Sequence, residues 1–388
     1  MVRINANALP NLRIAMILPG LGRVHRGAET AFLQLARYLS EEPNTEVTLF
    51  GSGSDVPKGL TIEEVPCRAR ERFEGWPTGP FLRNEYCYEE LTFILRMIAS
   101  RRFNPLAFDV ALHCSFPFTN WMLRQNRSRG VKSVFVTQNG DWMCRALNRE
   151  YRSFRCDGLI CTNPEYFARH NKKYNATLIP NGVDPDEFRP RLPWETREKL
   201  APEGYKAVLM TSALIASKRV NDAINAVARV PSAYLVVAGD GPERGRLQFL
   251  AQQKLPGRHR FLGSLPRDQM PTLYRAADAF LHTSQDEPFG IAYLEAAASG
   301  LPIVAHESRV PRWILGDAAF FADTGDEAAL ARGIAKSISP HNAIRGLVAR
   351  DRIARDWTWA EQAKKYRTFL QSVVTGTPAT EELACSQS

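Results

Sequence analysis

Short apolar runs alternate with longer amphipathic segments along almost the whole chain. The apolar runs have the length of β-strands and form two series, at 13–18, 45–50, 109–113, 131–136, 158–161 and 176–179, and then at 206–211, 233–238, 258–262, 278–282 and 302–305. Many segments between them carry helical periodicity, as in GAETAFLQLARYLSE from Gly27. Apolar strands that alternate with helices predict parallel sheets covered by helices on both faces. The expected fold class is therefore α/β.

The alternation is interrupted once, between the two series. The segment Ile179–Trp194 contains four prolines and an Asn-Gly pair, which leave no room for a helix or a central strand. A domain boundary placed here predicts two doubly wound, Rossmann-like parallel-sheet domains facing a central cleft. The expected limits are 1–180 for the first domain, 181–195 for the linker and 196–356 for the second domain.

The C-terminal part has a pattern of its own. Residues 357–373 are predicted to form a helix with an apolar stripe made of Trp359, Ala363, Tyr366, Phe369 and Leu370. This helix either completes the second domain or crosses back to pack on the first, and the sequence leaves both open. Residues 374–388 show no periodicity and are predicted to be disordered.

Composition narrows the class of protein. The 388 residues are 44% hydrophobic, enough for sizeable cores, and no run of eighteen apolar residues is present to span a membrane. The seven cysteines include no CxxC pair, so neither a disulfide framework nor a zinc site is indicated, and a cytoplasmic location is expected. Asp184-Pro185-Asp186 has the spacing of a metal-binding DxD, but its place after Asn-Gly favours a turn. No metal and no cofactor are expected.

Positive charge is concentrated in one segment of the first half. The net charge is +9, and Arg124–Arg155 contains eight basic and two acidic residues. Arg145, Arg149 and Arg152 would share one face of a helix. This face is either a solvated surface or a point of attraction for an anionic membrane or substrate. Binding of nucleic acid is not expected, because no aromatic interleaving or known binding module accompanies the charge.

The loops that follow the strands hold the candidate chemistry, since ligands of open α/β sheets bind beyond the carboxyl ends of the strands. Gly20, Gly22 and Gly27 follow the first strand but do not match GxGxxG, so a dehydrogenase is poorly supported. Lys218 would begin a helix, where a cation is disfavoured unless an anion shares the site. The alternative for Lys218 is an ordinary surface lysine. Gly241 permits a sharp turn after another strand.

The most informative stretch is EPFGIAYLE at residues 287–295. A helix is predicted from about Ile291 to Ser299, so Glu287 precedes the helix and Glu295 lies within its first turns. The backbone amides near Gly290 and Ile291 can hold a diphosphate at the helix start. A carboxylate on either side can accept hydrogen bonds from the hydroxyls of sugars and riboses.

Four stretches in this order resemble the retaining family 4 glycosyltransferases of the GT-B fold. They are NGVDPDEF, AGDGPERGRL, EPFGIAYLEAAASGLPIVA and DWTWAEQAKKY, and the resemblance spans about residues 13–373. It implies transfer of a sugar from a nucleotide-sugar donor to a glycan or lipid-linked acceptor with retained anomeric configuration. It also implies front-face attack that needs no metal. The expected location is cytoplasmic, and a peripheral position on the inner face of the membrane is a further expectation. A dehydrogenase becomes the least supported alternative.

The resemblance assigns roles to individual residues. The implied catalytic residues are Glu287, Lys218 and Gln138; the implied donor-binding residues are Glu295, Gly290, Ile291, Phe289, Arg219, Gly27 and Gly241; the implied acceptor-side residues are His113, Asn139 and Asp141. Glu287 would contact hydroxyls of the transferred sugar, and Lys218 would neutralise the leaving diphosphate. Glu295 would hold the ribose hydroxyls. For His113, a structural role in the core is the alternative.

Three positions depart from the family pattern. Ala213 stands where an arginine is common, with Arg219 as its candidate substitute, and Gln138 stands where a histidine is common. Arg26 replaces the first glycine of a Gly-Gly-Ala-Glu loop. Because glutamine cannot carry a proton, a second hypothesis is a catalytically silent partner subunit that binds a nucleotide sugar.

Overall fold

The computed structural model describes residues 11–24, 26–126, 128, 130–143, 154–192, 195 and 200–377. Contacts divide the chain into two compact units. Unit 1 runs to Asn181 and resumes at Trp359, and unit 2 comprises Gly182–Thr358. No helix among the described residues is long and apolar enough to cross a bilayer.

Unit 1 is built on a seven-stranded parallel sheet. Its strands are β1 (Leu12–Ile17), β2 (Thr45–Gly51), β3 (Thr61–Glu64), β4 (Val110–His113), β5 (Lys132–Val136), β6 (Gly158–Cys161) and β7 (Ala176–Leu178), in the order β3-β2-β1-β4-β5-β6-β7. The described helices between them are α1 (Gly27–Glu41), α2 (Glu85–Ser100), α3 (Phe118–Gln125) and α4 (Pro164–His170). The edge strand β3 was not predicted, because three of its four residues, TIEE, are polar and the strand is partly exposed.

The C-terminal helix α12 (Trp359–Thr375) belongs to unit 1 and packs against α1. Tyr366, Phe369 and Leu370 of the predicted stripe are buried. The helix lies so close to β6 that a Cβ atom on Gly158 would be 2.9 Å from the side chain of Val373. Of the two placements left open by the sequence, the structure shows the one on the first domain. Of the tail predicted to be disordered from 374, residues 374 and 375 instead belong to this helix, because its last turn continues past the predicted end, and residues from 378 onward lie outside the described part of the chain.

Unit 2 contains a six-stranded parallel sheet. Its strands are β8 (Lys206–Thr211), β9 (Ala233–Ala238), β10 (His259–Gly263), β11 (Ala279–His282), β12 (Ile303–His306) and β13 (Phe320–Ala322), in the order β10-β9-β8-β11-β12-β13. Its described helices are α5 (Val220–Ala228), α6 (Arg244–Lys254), α7 (Met270–Ala276), α8 (Ile291–Ala298), α9 (Arg309–Leu315), α10 (Glu327–Ser337) and α11 (Ala343–Asp356). The short edge strand β13 was not predicted.

Successive residues of the buried strands face different cores. In β8, Leu209 belongs to one apolar cluster while its neighbours Val208 and Met210 belong to the other. A sheet buried on both faces needs this continuous apolar sequence, which is why the strands could be predicted. The predicted α/β class with two doubly wound parallel sheets is confirmed, and all eleven predicted strands are present.

The predicted linker differs from the structure in one respect. Val183 pairs with Thr358, and Phe188 is fully buried in the core of unit 2, so this stretch is part of that unit. Asp184 accepts hydrogen bonds from the backbone amides of Asp186 and Glu187, which is the geometry of an Asx turn. The prolines therefore mark an ordered entry into unit 2 rather than a free connector.

Candidate functional site

Residues at the carboxyl end of β11 form hydrogen bonds to the loop that carries Lys218. After His282 the chain continues with Thr283 and Ser284, both buried. The Thr283 hydroxyl donates to the backbone carbonyls of Lys218 and Arg219, at 2.9 and 3.0 Å, and the Ser284 hydroxyl donates to the carbonyl of Ser217 at 3.3 Å. The polar end of the strand therefore fixes the backbone of Lys218 next to the Glu287 loop.

Glu287 is the centre of a small polar group. Its Oε2 atom lies 2.5 Å from Nζ of Lys218 and 3.3 Å from Nε2 of His282. The Tyr293 hydroxyl lies 3.0 Å from Nδ1 of the same histidine. Tyr293 and His282 are buried, and 12% of the Glu287 side chain and 23% of the Lys218 side chain remain exposed. Of these four side chains, those of Lys218 and Glu287 therefore have the exposed surface that a ligand could contact.

Glu287 is ionised over the whole physiological range. Burial alone would raise the pKa of its carboxyl group. The hydrogen bond and charge of His282 and the charge of Lys218 outweigh burial and lower the pKa to about 2. Because an ionised carboxylate only accepts hydrogen bonds, Nε2 of His282 carries the hydrogen directed at Glu287.

The depressed pKa of Glu287 predicts a contribution to acid stability. The contribution is present above the unfolded pKa of 4.5 and is lost as pH falls toward about 2. At pH 3.5 the free energy of unfolding should have lost about 1 kcal/mol of this contribution. The drop in urea midpoint between pH 6 and pH 3.5 should therefore be smaller in Glu287→Gln than in the wild type, whereas Glu327→Gln, an exposed change, should follow the wild type. Equal drops in all three proteins would contradict this.

Glu295 belongs to a second, more deeply buried polar group. Its carboxylate accepts a hydrogen bond from the Tyr274 hydroxyl at 2.8 Å and pairs with Nη1 of Arg267. The Tyr274 hydroxyl also lies 2.9 Å from Oγ1 of Thr211 at the end of β8. The Arg267 guanidinium lies over the ring of Phe188, 4.6 Å from its centroid. Glu295 is therefore held rigidly, with 7% of its side chain exposed.

The start of α8 connects directly to Glu287. Gly290 precedes the helix with φ of 82°, and a Cβ atom there would lie 2.7 Å from the Tyr293 ring and 3.1 Å from Cγ of Glu287. Only glycine fits this positive φ and close approach. The backbone amide of Tyr293 makes the first turn's hydrogen bond, to Gly290, so the amides of Ile291 and Ala292 precede it at the helix start. Such amides are suited to an anion.

Two predicted donor-binding side chains, those of Phe289 and Arg219, have other contacts in the structure. Phe289 is buried and packs near Trp313 and Trp357, so only its backbone could meet a donor. The Arg219 guanidinium pairs with Asp222 at 2.5 Å and donates to Gln285 at 2.9 Å. Its described contacts do not include Glu287, so the structure does not bring this substitute for the missing arginine to the Lys218 group.

Gly241 is required by backbone packing. A Cβ atom on Gly241 would lie 2.5 Å from the carbonyl oxygen of Leu214. The amide of Leu214 in turn donates to the carbonyl of Asp240 at 2.9 Å. The loops after β8 and β9 therefore run side by side, and this close approach accounts for the glycine without a ligand. Ala213 lies exposed in the first of these loops.

In unit 1, two predicted residues lie in the short 3₁₀-helix Thr137–Asn139 after β5. The Gln138 side chain exchanges two hydrogen bonds with the Asn181 amide, and Nδ2 of Asn139 lies 3.4 Å from the Tyr86 hydroxyl. Gly27 begins α1 with open space where a Cβ atom would be. These positions remain accessible to a ligand in part, since Asn139 and Gly27 are exposed.

The other two predicted acceptor-side residues have structural partners. His113 is fully buried, its ring nitrogens lie 3.1 Å from the Ser115 carbonyl and from the Ser133 hydroxyl, and burial lowers its pKa to about 4. A ring with both nitrogens engaged inside the core cannot contact an acceptor, so the structural alternative for His113 applies. Asp141 pairs with His170 at 2.7 Å and Arg169 at 2.8 Å.

Sequence reasoning missed four residues that organise these groups: His282, Tyr293, Arg267 and Tyr274. His282 could have been recognised as a polar residue that ends an apolar strand immediately before the glutamate loop. Arg267 and Tyr274 lie 28 and 21 residues from Glu295, and no local pattern connects them to it. No group of three or more metal-ligating side chains is found among the described residues.

Comparisons with known proteins identify the family of this chain. Residues 25–187 match the model described as Glycosyltransferase Family 4, and residues 194–344 match Glycosyl transferases group 1. The chain belongs to the GT-B glycosyltransferases. The family resemblance read from the sequence is thus confirmed.

Relatives of this glycosyltransferase include two lipopolysaccharide core biosynthesis glycosyltransferases of Rhizobium meliloti. LpsE is 35% identical over 157 residues, 39% of this chain and 45% of LpsE, and LpsD is 29% identical over 322 residues, 79% of this chain and 83% of LpsD. The chain spans less than half the length of the first curated relatives it matches. A structure of HepE from Anabaena in complex with UDP and glucose matches with a TM-score of 0.67 at 17% identity, covering 93% of this chain and all of that chain.

Proposed function

We propose that this glycosyltransferase transfers a sugar from a nucleotide-sugar donor to a glycan or lipid-linked acceptor, with retention at the anomeric carbon. The observation that supports it most is the contact of Lys218 with Glu287 at the amino end of α8. A cation and free helix amides suit a diphosphate, and an ionised carboxylate suits sugar hydroxyls. HepE, which shares the fold, was solved with UDP and glucose, which supports a nucleoside diphosphate as the leaving group.

In the proposed reaction, the bond between the anomeric carbon and the diphosphate oxygen breaks while an acceptor hydroxyl bonds to the same face of that carbon. The hydroxyl proton passes to the departing phosphate oxygen. Negative charge grows on the diphosphate, and Lys218 with the α8 amides stabilises it electrostatically. Glu287, fixed by His282, orients the sugar, and Glu295 holds the ribose hydroxyls. Every charge in this scheme is supplied by the chain and the donor, so no metal is required.

The departure at Gln138 does not exclude activity. Gln138 has its amide engaged by Asn181, and it cannot take a proton. In front-face transfer the leaving phosphate takes the proton, so glutamine at this position is compatible with turnover. A silent partner subunit remains the competing outcome, and it predicts donor binding without transfer.

A screen of nucleotide sugars by thermal shift tests the proposal. A cognate donor at 100-fold its dissociation constant should stabilise the full chain by about 2.7 kcal/mol. Release of the nucleoside diphosphate, measured with the donor that binds, should occur in the wild type and fall in Glu287→Gln. Binding with no turnover in either protein would identify a silent subunit, and no shift with UDP-, GDP-, ADP- or TDP-linked sugars would refute donor binding.

We also propose that the protein works at the inner face of a membrane. The basic segment 124–155 motivated this location, but Arg127, Arg129, Arg145, Arg149 and Arg152 lie outside the described residues. Among its described members, Arg124 and Lys132 are partly exposed and Arg155 is exposed. The location therefore needs support from another surface of the protein.

A further inference from the structure

Helix α2 carries a second stripe of apolar residues beside its buried face. Its inner face packs into the core of unit 1 through residues such as Phe93, Ile94 and Met97. Its outer face carries Tyr88, Leu91, Leu95 and Ile98, which recur at the spacing of a helical stripe. Leu95 is 54% exposed and Ile98 is 46% exposed. A folded helix that needs only one apolar face has no structural use for the second.

The stripe continues beyond the amino end of α2. The Trp76 ring packs edge-on against Tyr88 with centroids 5.3 Å apart, and Phe73 stacks on Tyr88 from the preceding 3₁₀-helix Arg70–Phe73. Trp76 is nevertheless 48% exposed. We call Trp76, Tyr88, Leu91, Leu95 and Ile98 the outer α2 ridge.

Four exposed arginines lie on α2 or on segments next to it. The backbone amide of Arg68 donates a hydrogen bond to the Thr92 hydroxyl of α2, and Arg72 belongs to the 3₁₀-helix that packs on α2. Arg96 lies on α2 itself, and Arg101 follows the last turn of α2. All four side chains are exposed, and none forms an ion pair within the described part of the chain. The neighbouring Glu71 is paired with Arg26. The ridge is therefore an apolar strip bordered by positive charge that the protein itself leaves unpaired.

We propose that the outer α2 ridge docks on the surface of an anionic lipid bilayer. Apolar side chains on such a helix enter the boundary between headgroups and acyl chains, and flanking arginines meet the lipid phosphates. Trp76, with an apolar body and a polar N–H group, suits the same boundary. This inference extends the membrane location proposed above, but it does not depend on which sugar is transferred.

Other occupants fit the ridge less well. A second copy of the chain would bring the same arginines face to face across a two-fold axis, and like charges repel. The ridge is a convex helix surface, which suits a flat bilayer better than a partner helix that needs a groove. A similar exposed pair, Ile344 and Val348 on α11, lies near Arg345 and Arg352, but these arginines are partly buried and donate to backbone carbonyls of the protein.

Flotation of the full chain with vesicles tests the proposal. Vesicles of phosphatidylcholine mixed with phosphatidylglycerol should bind the wild type, and vesicles of phosphatidylcholine alone should bind it much less. Leu95→Ser with Ile98→Ser should weaken binding about tenfold, since two half-exposed apolar side chains lose their burial in lipid. Arg72→Gln with Arg96→Gln should also weaken binding about tenfold and reduce its dependence on salt.

The matched control is Ile344→Ser with Val348→Ser, which removes equally exposed apolar surface from α11 and should leave binding unchanged. Circular dichroism checks that each variant is folded. Equal flotation of the wild type and the Leu95/Ile98 variant would overturn the proposal. So would a ridge variant that changes only the oligomeric state without lipid, which would identify an interface between copies. Flotation needs no turnover, so an inactive protein that binds vesicles would refute only the proposed transfer, and an active one that does not bind would refute only the docking.

Discussion

Replacing Lys218 by methionine is expected to lower kcat about 10²- to 10³-fold with the donor identified by the thermal-shift screen. Methionine keeps the length of the side chain but removes the ammonium group that lies 2.5 Å from Glu287. Charge on the diphosphate increases as its bond to the sugar breaks. The loss should therefore appear mainly in kcat, measured as release of the nucleoside diphosphate, and less in donor affinity, measured by calorimetry.

Two further variants sharpen this prediction. Lys218→Arg keeps the positive charge on a different geometry and should retain more activity than Lys218→Met. Lys254→Met removes an exposed lysine from α6 and should have no effect. If Lys218→Met kept the wild-type kcat, the lysine would be a surface residue and the proposed leaving-group role would be wrong. A loss confined to donor affinity would assign Lys218 to ground-state binding only.

The parts of this protein that were predictable are those whose signal is local. Buried parallel strands need uninterrupted apolar sequence, so β8, β9 and β11 could be located to within a residue or two. The loop that carries Glu287 was recognisable because its Pro-Phe-Gly sequence lies between the end of one apolar strand and the start of the next helix. The edge strands β3 and β13 have four and three residues and are only partly buried, so neither period nor burial distinguishes them from loops.

The errors in the candidate site have a different cause. The family resemblance assigned Phe289 to the donor, but the direction of its side chain is set by packing on Trp313 and Trp357. His113 ends a strand at the edge where ligands bind, yet its ring turns inward to Ser133 on the next strand. Side-chain direction depends on tertiary contacts, which a single sequence does not display.

Glu295 carries the second large effect, on stability. Glu295→Ala should destabilise unit 2 by about 3 kcal/mol, because it leaves the charge of Arg267 in a largely buried place with only the more distant Glu187 carboxylate, 4.0 Å away. With 24% of the Arg267 side chain exposed, the lower end of the range for buried ion pairs applies. Hydrogen exchange of peptides from α8, followed by mass spectrometry, measures the loss in the unit concerned.

A double-mutant cycle separates the ion pair from the packing around it. Arg267→Met removes the guanidinium charge that Glu295→Ala leaves behind. The double variant Glu295→Ala with Arg267→Met should therefore be destabilised by less than the sum of the two single changes. Glu307→Ala removes the exposed ion pair with Arg312 and should cost less than about 1 kcal/mol. Additive effects in the cycle of Glu295 and Arg267 would mean that these two residues do not depend on each other. Coupling would mean that Arg267 and Tyr274 hold the carboxylate in place before any ribose arrives, so that the donor meets a site already ordered for its hydroxyls.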